Sequence, residues 1–480
     1  MYGFLMAISR YYFTFVMVFF LGFFIRALVI YKRKGYLKDI SSKWMRILLL
    51  IMIASATLIL AYDSIELTFS LPTLLFGLGL MTLVVGGSFL FGRDFKKVCP
   101  LLENGMLFLL SIGLIMLYRL SPGLAWRQLI FATLGFVLSL LDPFIFKFLK
   151  NIEKLEFIFL MTALILISLV TISDMIGGLL NISIPIIAVD QYGAANQISI
   201  IGFAFQPSEM VKFLYLMFLA CALRNKPKPS RPGKMVFIEI SSAVLILALF
   251  SQGDLGNALL IFLVFVIMVY ASRGSKRLFF AAFIIAGLTM ALAYTQFPIV
   301  RLRISAWLNP WTADDGSGIQ IIESFFAIGS WGPWGAGLGY GMPDLIPVVE
   351  RDVIFAAITE EFGWIFSFGI IITFLLLMIR FSSVTAKVKR PLFIMMSFGY
   401  SIMIAIQAFV SISGNIGLLP ISGVTLPLIS YGGSSVFVTM LMFGIMQWLY
   451  GNSVDELIAE IEAKKKADEE AAKAKEAAGK

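Results

Sequence analysis

Four groups of polar residues interrupt an otherwise apolar chain, and each contains residue types that could do chemistry. Glu209 and Lys212 follow Phe205-Gln206-Pro207-Ser208 and stand three residues apart, so on a helix they share a face and can pair. Asp254 lies in the short segment Gln252-Gly253-Asp254-Leu255-Gly256. Asp352 follows Glu350-Arg351 and opens an apolar stretch that holds Glu360-Glu361-Phe362-Gly363. The last group, Leu426-Pro427-Leu428-Ile429-Ser430-Tyr431-Gly432-Gly433-Ser434-Ser435, cannot form a regular helix through its proline and paired glycines. A carboxylate in such company can take a proton from a hydroxyl, and a cationic side chain can hold a leaving anion.

Each group also has an ordinary structural explanation. Pro207 and Ser208 start a helix, and Glu209 and Lys212 then neutralise one another. Asp254 and Asp352 stand where helix N-caps stand, and a helix N-terminus stabilises a carboxylate and so weakens it as a base. Glu360 and Glu361 lie about 12–14 Å along the helix from Asp352 at 1.5 Å per residue, deep enough to require partners or water.

The elements that carry these groups are membrane spans. Of the 480 residues 59% are hydrophobic and 14% charged, against roughly a quarter charged in globular domains, so a soluble fold is excluded. Apolar runs of spanning length are expected near 11–31, 45–62, 69–91, 105–118, 127–146, 155–173, 208–223, 235–250, 256–271, 278–296, 353–379, 391–412 and 433–450, which makes an all-α protein of about thirteen transmembrane helices. The first run begins after Arg10, is span-length and lacks a small-residue cleavage site, so it reads as a retained helix. Basic clusters at Lys32 to Arg46, Arg93 to Lys97, Lys147 to Lys154, Arg224 to Lys234, Arg273 to Arg277 and Arg380 to Arg390 fall at every second crossing. One topology satisfies them all, with the N-terminus outside and the C-terminus cytoplasmic. The formal charge of +9 is thereby explained by membrane topology, without a nucleic-acid partner.

Two outer segments, 174–207 and 297–352, are too long to be turns and are where function is expected. The second holds Trp307, Trp311, Trp331 and Trp334, read first as interfacial anchors, and a glycine-rich stretch from Gly329 to Gly339. The tail from Asp455 is rich in Ala, Glu and Lys and reads as a solvated helix or disordered segment without chemistry. The chain has no histidine, which removes imidazole acid–base catalysis, the Ser-His-Asp triad and histidine metal ligation. Proton transfer must use a carboxylate, lysine, tyrosine or water. Cys99 and Cys221 sit near the cytoplasmic side, where a structural disulfide is not expected.

Phe205 to Glu209, Asp254-Leu255-Gly256, Asp352 through Gly363, and Pro427 to Ser434, in this order and spacing, resemble the signature segments of the FtsW/RodA/SpoVE (SEDS) family. The resemblance covers about 105–452 as a ten-helix core, with 1–104 as three additional N-terminal helices and 453–480 as a charged cytoplasmic tail. It implies a peptidoglycan glycosyltransferase that polymerises lipid II at the outer face of the bacterial cytoplasmic membrane, with a class B penicillin-binding protein as partner. It implies Asp352 as the catalytic aspartate at the end of the large outer loop. Glu209, Lys212, Asp254, Glu360, Ser430 and Ser434 then belong to the substrate cavity. Arg301 and Arg303, with Lys212, are candidates to stabilise the leaving diphosphate, their alternative being interfacial snorkelling. Assistance by a divalent cation, Mg or Mn, is also implied, although no ligand cluster in the sequence identifies one, and Asp314-Asp315 reads as a solvated turn.

The chain departs from the family pattern at Gly193-Ala194-Ala195-Asn196-Gln197, where an Arg-Trp pair is usual. Gly253 stands where proline is common, Arg351 where threonine precedes the aspartate, and Glu323 where glutamine is common. Two other readings compete. A flippase or transporter of lipid-linked precursors would use the same cavity without a base at Asp352, and a scaffold of a cell-wall synthesis complex would turn over no lipid II.

Overall fold

The computed structural model describes residues 2–34, 40–63, 68–94, 98–148, 151–180, 187–188, 197–200, 203–224, 232–274, 276–296, 298–312 and 318–454. Gly193 to Asn196, Asp314-Asp315 and the tail from Asp455 fall outside them. The helices in chain order are α1 (Tyr2–Lys34), α2 (Ile40–Ala61), α3 (Leu71–Asp94), α4 (Pro100–Leu120), α5 (Pro122–Ser139), α6 (Asp142–Phe148), α7 (Glu156–Leu180), α8 (Pro207–Leu223), α9 (Pro232–Ser251), α10 (Leu255–Arg273), α11 (Lys276–Gln296), α12 (Pro298–Leu308), α13 (Ile319–Ser330), α14 (Ile354–Thr385) and α15 (Pro391–Asn415). The last, α16, spans Gly433–Val454.

Local sequence explains several boundaries. Proline at the first helical position starts α4, α5, α8 and α15, where its missing N–H costs nothing. Gly274, left-handed at φ 67°, closes α10 by returning its amide to the Tyr270 carbonyl.

Among the described residues twelve helical stretches are long and apolar enough to cross a membrane. The thirteenth expected span is α8, whose 17 residues are fewer than the roughly 20 of a straight crossing because Pro207 fixes its start. Two small antiparallel sheets add to the all-helical expectation. One pairs β1 (Tyr62–Asp63) with β2 (Thr68–Phe69), and the other orders β3 (Ile187–Ala188), β4 (Gln197–Ile200) and β5 (Phe203–Phe205) just before α8.

The centre of the bundle is α4, buried from Leu101 to Tyr118. It packs on α2, α5 and α14, while α14 also packs on α1, α13 and α15. α8 lies between α7, α10 and α15. Polar groups on α4 find partners on α2: Arg46 meets the buried Glu103 at 3.1 Å, and the Asn104 side chain donates to the Ser42 carbonyl at 3.0 Å. By contrast, α11 packs mainly on its neighbours α10 and α12 among the described residues and stands at the edge.

Candidate active site

The segment 426–435 is the hub on which the polar groups meet. It enters with Pro427, and Leu428 adopts φ 68°, a left-handed conformation that costs a residue with a branched side chain about 1–3 kcal/mol and recurs at functional sites. The turn is held by Ser430, whose Oγ accepts from the Leu426 amide at 2.9 Å. Gln128, buried on α5, donates to the Ser430 carbonyl at 2.8 Å and accepts from the Gly432 amide at 2.9 Å, so one side chain satisfies both sides of the break. The Tyr431 amide donates to the Glu350 carbonyl at 2.8 Å, and the Arg351 guanidinium lies 5.8 Å from the Tyr431 ring centroid. The chain just ahead of Asp352 is thus fastened to the hub.

The hub also holds the start of α8, since Ser434 Oγ accepts from the Gln206 amide at 2.9 Å. From there the Gln206 and Ser208 side chains both donate to Asp254 Oδ2, at 3.0 and 2.7 Å, and Asn257 adds its side-chain donor at 2.9 Å. Asp254 Oδ1 meanwhile caps α10 by accepting from the Asn257 amide at 3.3 Å, as expected of an N-cap. One turn into α8, Glu209 and Lys212 pair at 2.8 Å with both side chains almost wholly buried. Burial without a partner would cost either charge several kcal/mol in a membrane, so the pair is the condition for both being there.

Asp352 itself is half-buried. The cap position of α14 is Val353, one residue later than the sequence suggested, and the Ala356 amide is instead taken by the side-chain oxygen of Asn415 at 3.1 Å. The Asn415 amide nitrogen donates to the Asp352 carbonyl at 2.8 Å. The end of α15 therefore fixes the backbone of Asp352 from one side while the hub fixes it from the other.

Nine residues into α14 the helix breaks at Gly363, with φ 84° and ψ 163°. The break frees the carbonyls of Glu360 and Glu361, which accept instead from the Ala336 and Gly337 amides, both at 2.8 Å. Only glycines permit this contact: a Cβ on Gly363 would strike the Pro333 carbonyl, and Gly335 at φ 72° faces the Gly363 amide. The two carboxylates secure the same loop, Glu360 accepting from the Met342 amide at 2.7 Å and Glu361 from the Gly339 amide at 3.0 Å. Glu361, with no exposed surface, also meets Arg119 at 3.2 Å. Arg119 in turn reaches Asp344 and the Gly341 carbonyl, each at 3.3 Å.

Arg119, Gln128, Asn415 and Gln407, which donates to the Thr425 carbonyl at 3.0 Å, were not singled out from the sequence. Gln128, Gln407 and Asn415 are polar side chains inside or at the end of apolar spans, a signal that could have found them. Arg119 lies just beyond the expected span 105–118, where an arginine is ordinary.

The remaining candidates divide. Arg303, on α12, donates to the Ser422 carbonyl at 3.3 Å, on the strand of chain that leads into the hub, and Gly256 lies against the same carbonyl. Arg301 is exposed and turns away to the Thr295 carbonyl at 3.2 Å. Arg303 lines a cavity of about 940 Å³ between α9, α10, α11 and α12, whose other walls include Phe250, Phe262, Ile285 and Met290. Trp307 donates its indole N–H to the Gly417 carbonyl at 2.8 Å and Trp334 packs on Tyr11, so these two serve internal contacts, while Trp311 and Trp331 remain exposed. Among the described residues no three of Asp, Glu and Cys gather closely enough to hold a metal ion.

A bundle of apolar, span-length helices packed around a broken, polar segment defines a polytopic membrane protein. Residues 95–453 match the family model FtsW/RodA/SpoVE, described as cell cycle protein, and the chain belongs to that family. It is 37% identical over 273 residues to a probable peptidoglycan glycosyltransferase FtsW of Geobacter sulfurreducens, covering 55% of this chain and 72% of the relative. It is 27% identical over 400 residues to the peptidoglycan glycosyltransferase RodA of Mycobacterium tuberculosis, covering 77% of this chain and 82% of that one. A chain solved in a study of how a peptidoglycan synthase complex coordinates polymerization and crosslinking is 25% identical, with a TM-score of 0.60 over 74% of this chain and 98% of its own. The Thermus thermophilus rod shape determining protein RodA shares the fold at 21% identity, with a TM-score of 0.53 over 74% of this chain and 98% of its own.

Proposed function

We propose that the chain is a peptidoglycan glycosyltransferase that polymerises lipid II, with Asp352 as its general base. The observation that carries the reading is that the 205–212 and 350–352 groups are fastened directly to the 426–435 hub and Asp254 to Gln206 and Ser208, which with Asn415 holds the Asp352 backbone from two sides. In this reading the Asp352 carboxylate takes the proton from the 4-hydroxyl of the acceptor sugar. The oxygen attacks the anomeric carbon of a second lipid-linked sugar, the bond to the polyprenyl diphosphate breaks, and the configuration inverts. Arg303 supplies positive charge toward the departing diphosphate, and the apolar cavity beside it suits the polyprenyl tail. Lys212 is committed to Glu209 and acts on substrate only if that pair opens.

The topology proposed is N-terminus outside and C-terminus cytoplasmic in the bacterial cytoplasmic membrane, from the alternation of basic loops. Ser9, near the start of α1, touches Leu338 in the long loop, which agrees with both lying on one face. The family core is 105–452, the helices before it an accessory unit, and a class B penicillin-binding protein the partner.

The test is polymerisation of purified lipid II by the detergent-solubilised protein, wild type beside Asp352→Asn, with and without that transpeptidase. Loss of a positioned base lowers the rate by about 10²–10⁴, so the variant should give almost no glycan while melting like the wild type. Equal products from both would remove Asp352 as the base. No product from either, even with the partner, would favour a transporter or scaffold.

A further inference from the structure

Residues before 95 lie outside the part of the chain that matches the family, yet α1 reaches the junction between the glycine-rich loop and the break in α14. We propose that α1 is a positioning element for the reaction: through Ser9, Tyr11 and Phe13 it clamps the 332–341 loop onto the break and so sets the half-helix that presents Asp352. The catalytic half of this inference rests on the role given to Asp352 above, and the mechanical half does not.

Three successive loop amides are held in turn by α14, α1 and α14. Gly337 donates to the Glu361 carbonyl at 2.8 Å, Leu338 to the buried Ser9 hydroxyl at 3.2 Å, and Gly339 to the Glu361 carboxylate at 3.0 Å. Around this bond the Tyr11 ring lies 5.2 Å from Trp334, and Phe13 meets Phe362, the residue before the break, edge-on at 5.2 Å. Further along, Met17 fills the notch at Gly369, Phe20 stacks on Phe108 at 3.9 Å, and Phe24 sits against Gly105 beside Leu377. The helix is therefore seated on both α14 and α4 by interlocking side chains, and its end is aimed at the loop.

The geometry gives the clamp leverage. From Ile354 to Phe362 the half-helix is about 13 Å long at 1.5 Å per residue, so a tilt of about 5° at the break moves its far end by about 1 Å. Displacements of about 1 Å at a reacting group can cost about a hundredfold in rate.

The experiment compares Ser9→Ala, Ser9→Thr and Met17→Ala in the whole 480-residue chain. Hydrogen exchange of peptides covering 332–345 should quicken in Ser9→Ala, return toward wild type in Ser9→Thr, which keeps the hydroxyl, and stay slow in Met17→Ala. In lipid II polymerisation Ser9→Ala should lose about tenfold in kcat at unchanged KM. Met17→Ala, which loosens the same helix away from the break, should lower the melting temperature and cut kcat by less than Ser9→Ala does. Unaltered exchange in Ser9→Ala overturns the clamp, and faster exchange without a fall in kcat beyond that of Met17→Ala overturns its positioning role. A wild-type chain that makes no glycan would sink the Asp352 role, and the exchange result would then decide the clamp alone.

Discussion

The contact between Arg119 and Glu361 permits a quantitative test of what holds the glycine-rich loop. Glu361 has no exposed surface, Arg119 is 20% exposed, and Asp344, the second acid on Arg119, is 58% exposed. The last pairing is in solvent and contributes at most about 1 kcal/mol. Removing the cation by Arg119→Met leaves a buried carboxylate without its counter-charge, which typically costs about 3–5 kcal/mol. Glu361→Gln keeps the acceptor for the Gly339 amide and frees Arg119 to turn toward Asp344, so it loses one charged hydrogen bond, about 1.5–3 kcal/mol. The double variant has no buried charge left to strand and should be less destabilised than the sum of the two, by about 2 kcal/mol of coupling. The assay is unfolding of the four proteins in mixed micelles, with free energies fitted from the same transition. Additive losses would refute the reasoning, because they would mean that Glu361 is satisfied without Arg119.

Other expectations follow from single contacts. Gly363→Ala forces a side chain into a conformation worth about 1–3 kcal/mol of strain and against the Pro333 carbonyl, and should lower the unfolding midpoint sharply; an unchanged midpoint would disprove the close approach. Asp254→Ala strands the Gln206, Ser208 and Asn257 donors and should cost about 1–3 kcal/mol in the same unfolding assay, whereas Asp254→Asn, which keeps one acceptor oxygen, should cost less. Gln128→Leu removes the partner of both the Ser430 carbonyl and the Gly432 amide, so it should destabilise the hub by about 1–3 kcal/mol and lower glycan synthesis; normal stability would show that water replaces the side chain.

The spans, the polar groups and the Glu209–Lys212 pair were legible because hydropathy and helical spacing are local properties. The Asp254 cap was legible for the same reason. What stayed hidden depends on contacts between distant segments. Nothing near Asp352 says that Asn415, 63 residues on, will take the Ala356 amide and so displace the expected cap. Glu360 and Glu361 could be marked as needing partners, but that those partners are loop amides follows only once Gly363 breaks the helix and turns its carbonyls outward. Ser430 and Ser434, expected in the substrate cavity, accept with their hydroxyl oxygens from the Leu426 and Gln206 amides, a use that follows from the break at Pro427 and cannot be read from residue type. The three-stranded sheet before α8 was missed because its strands are two to four residues long, too short for alternation to register.

The pair of Arg46 and Glu103 has a consequence for how the protein is made. Helices leave the ribosome in chain order, and N-terminal parts settle first. The α2 helix with Arg46 is already in the bilayer when α4 arrives carrying Glu103 in its first turn. The most enclosed helix of the bundle thus meets its counter-charge on entry, and a chain that lacked α2 would have to lodge that acid in lipid before any later helix could shield it.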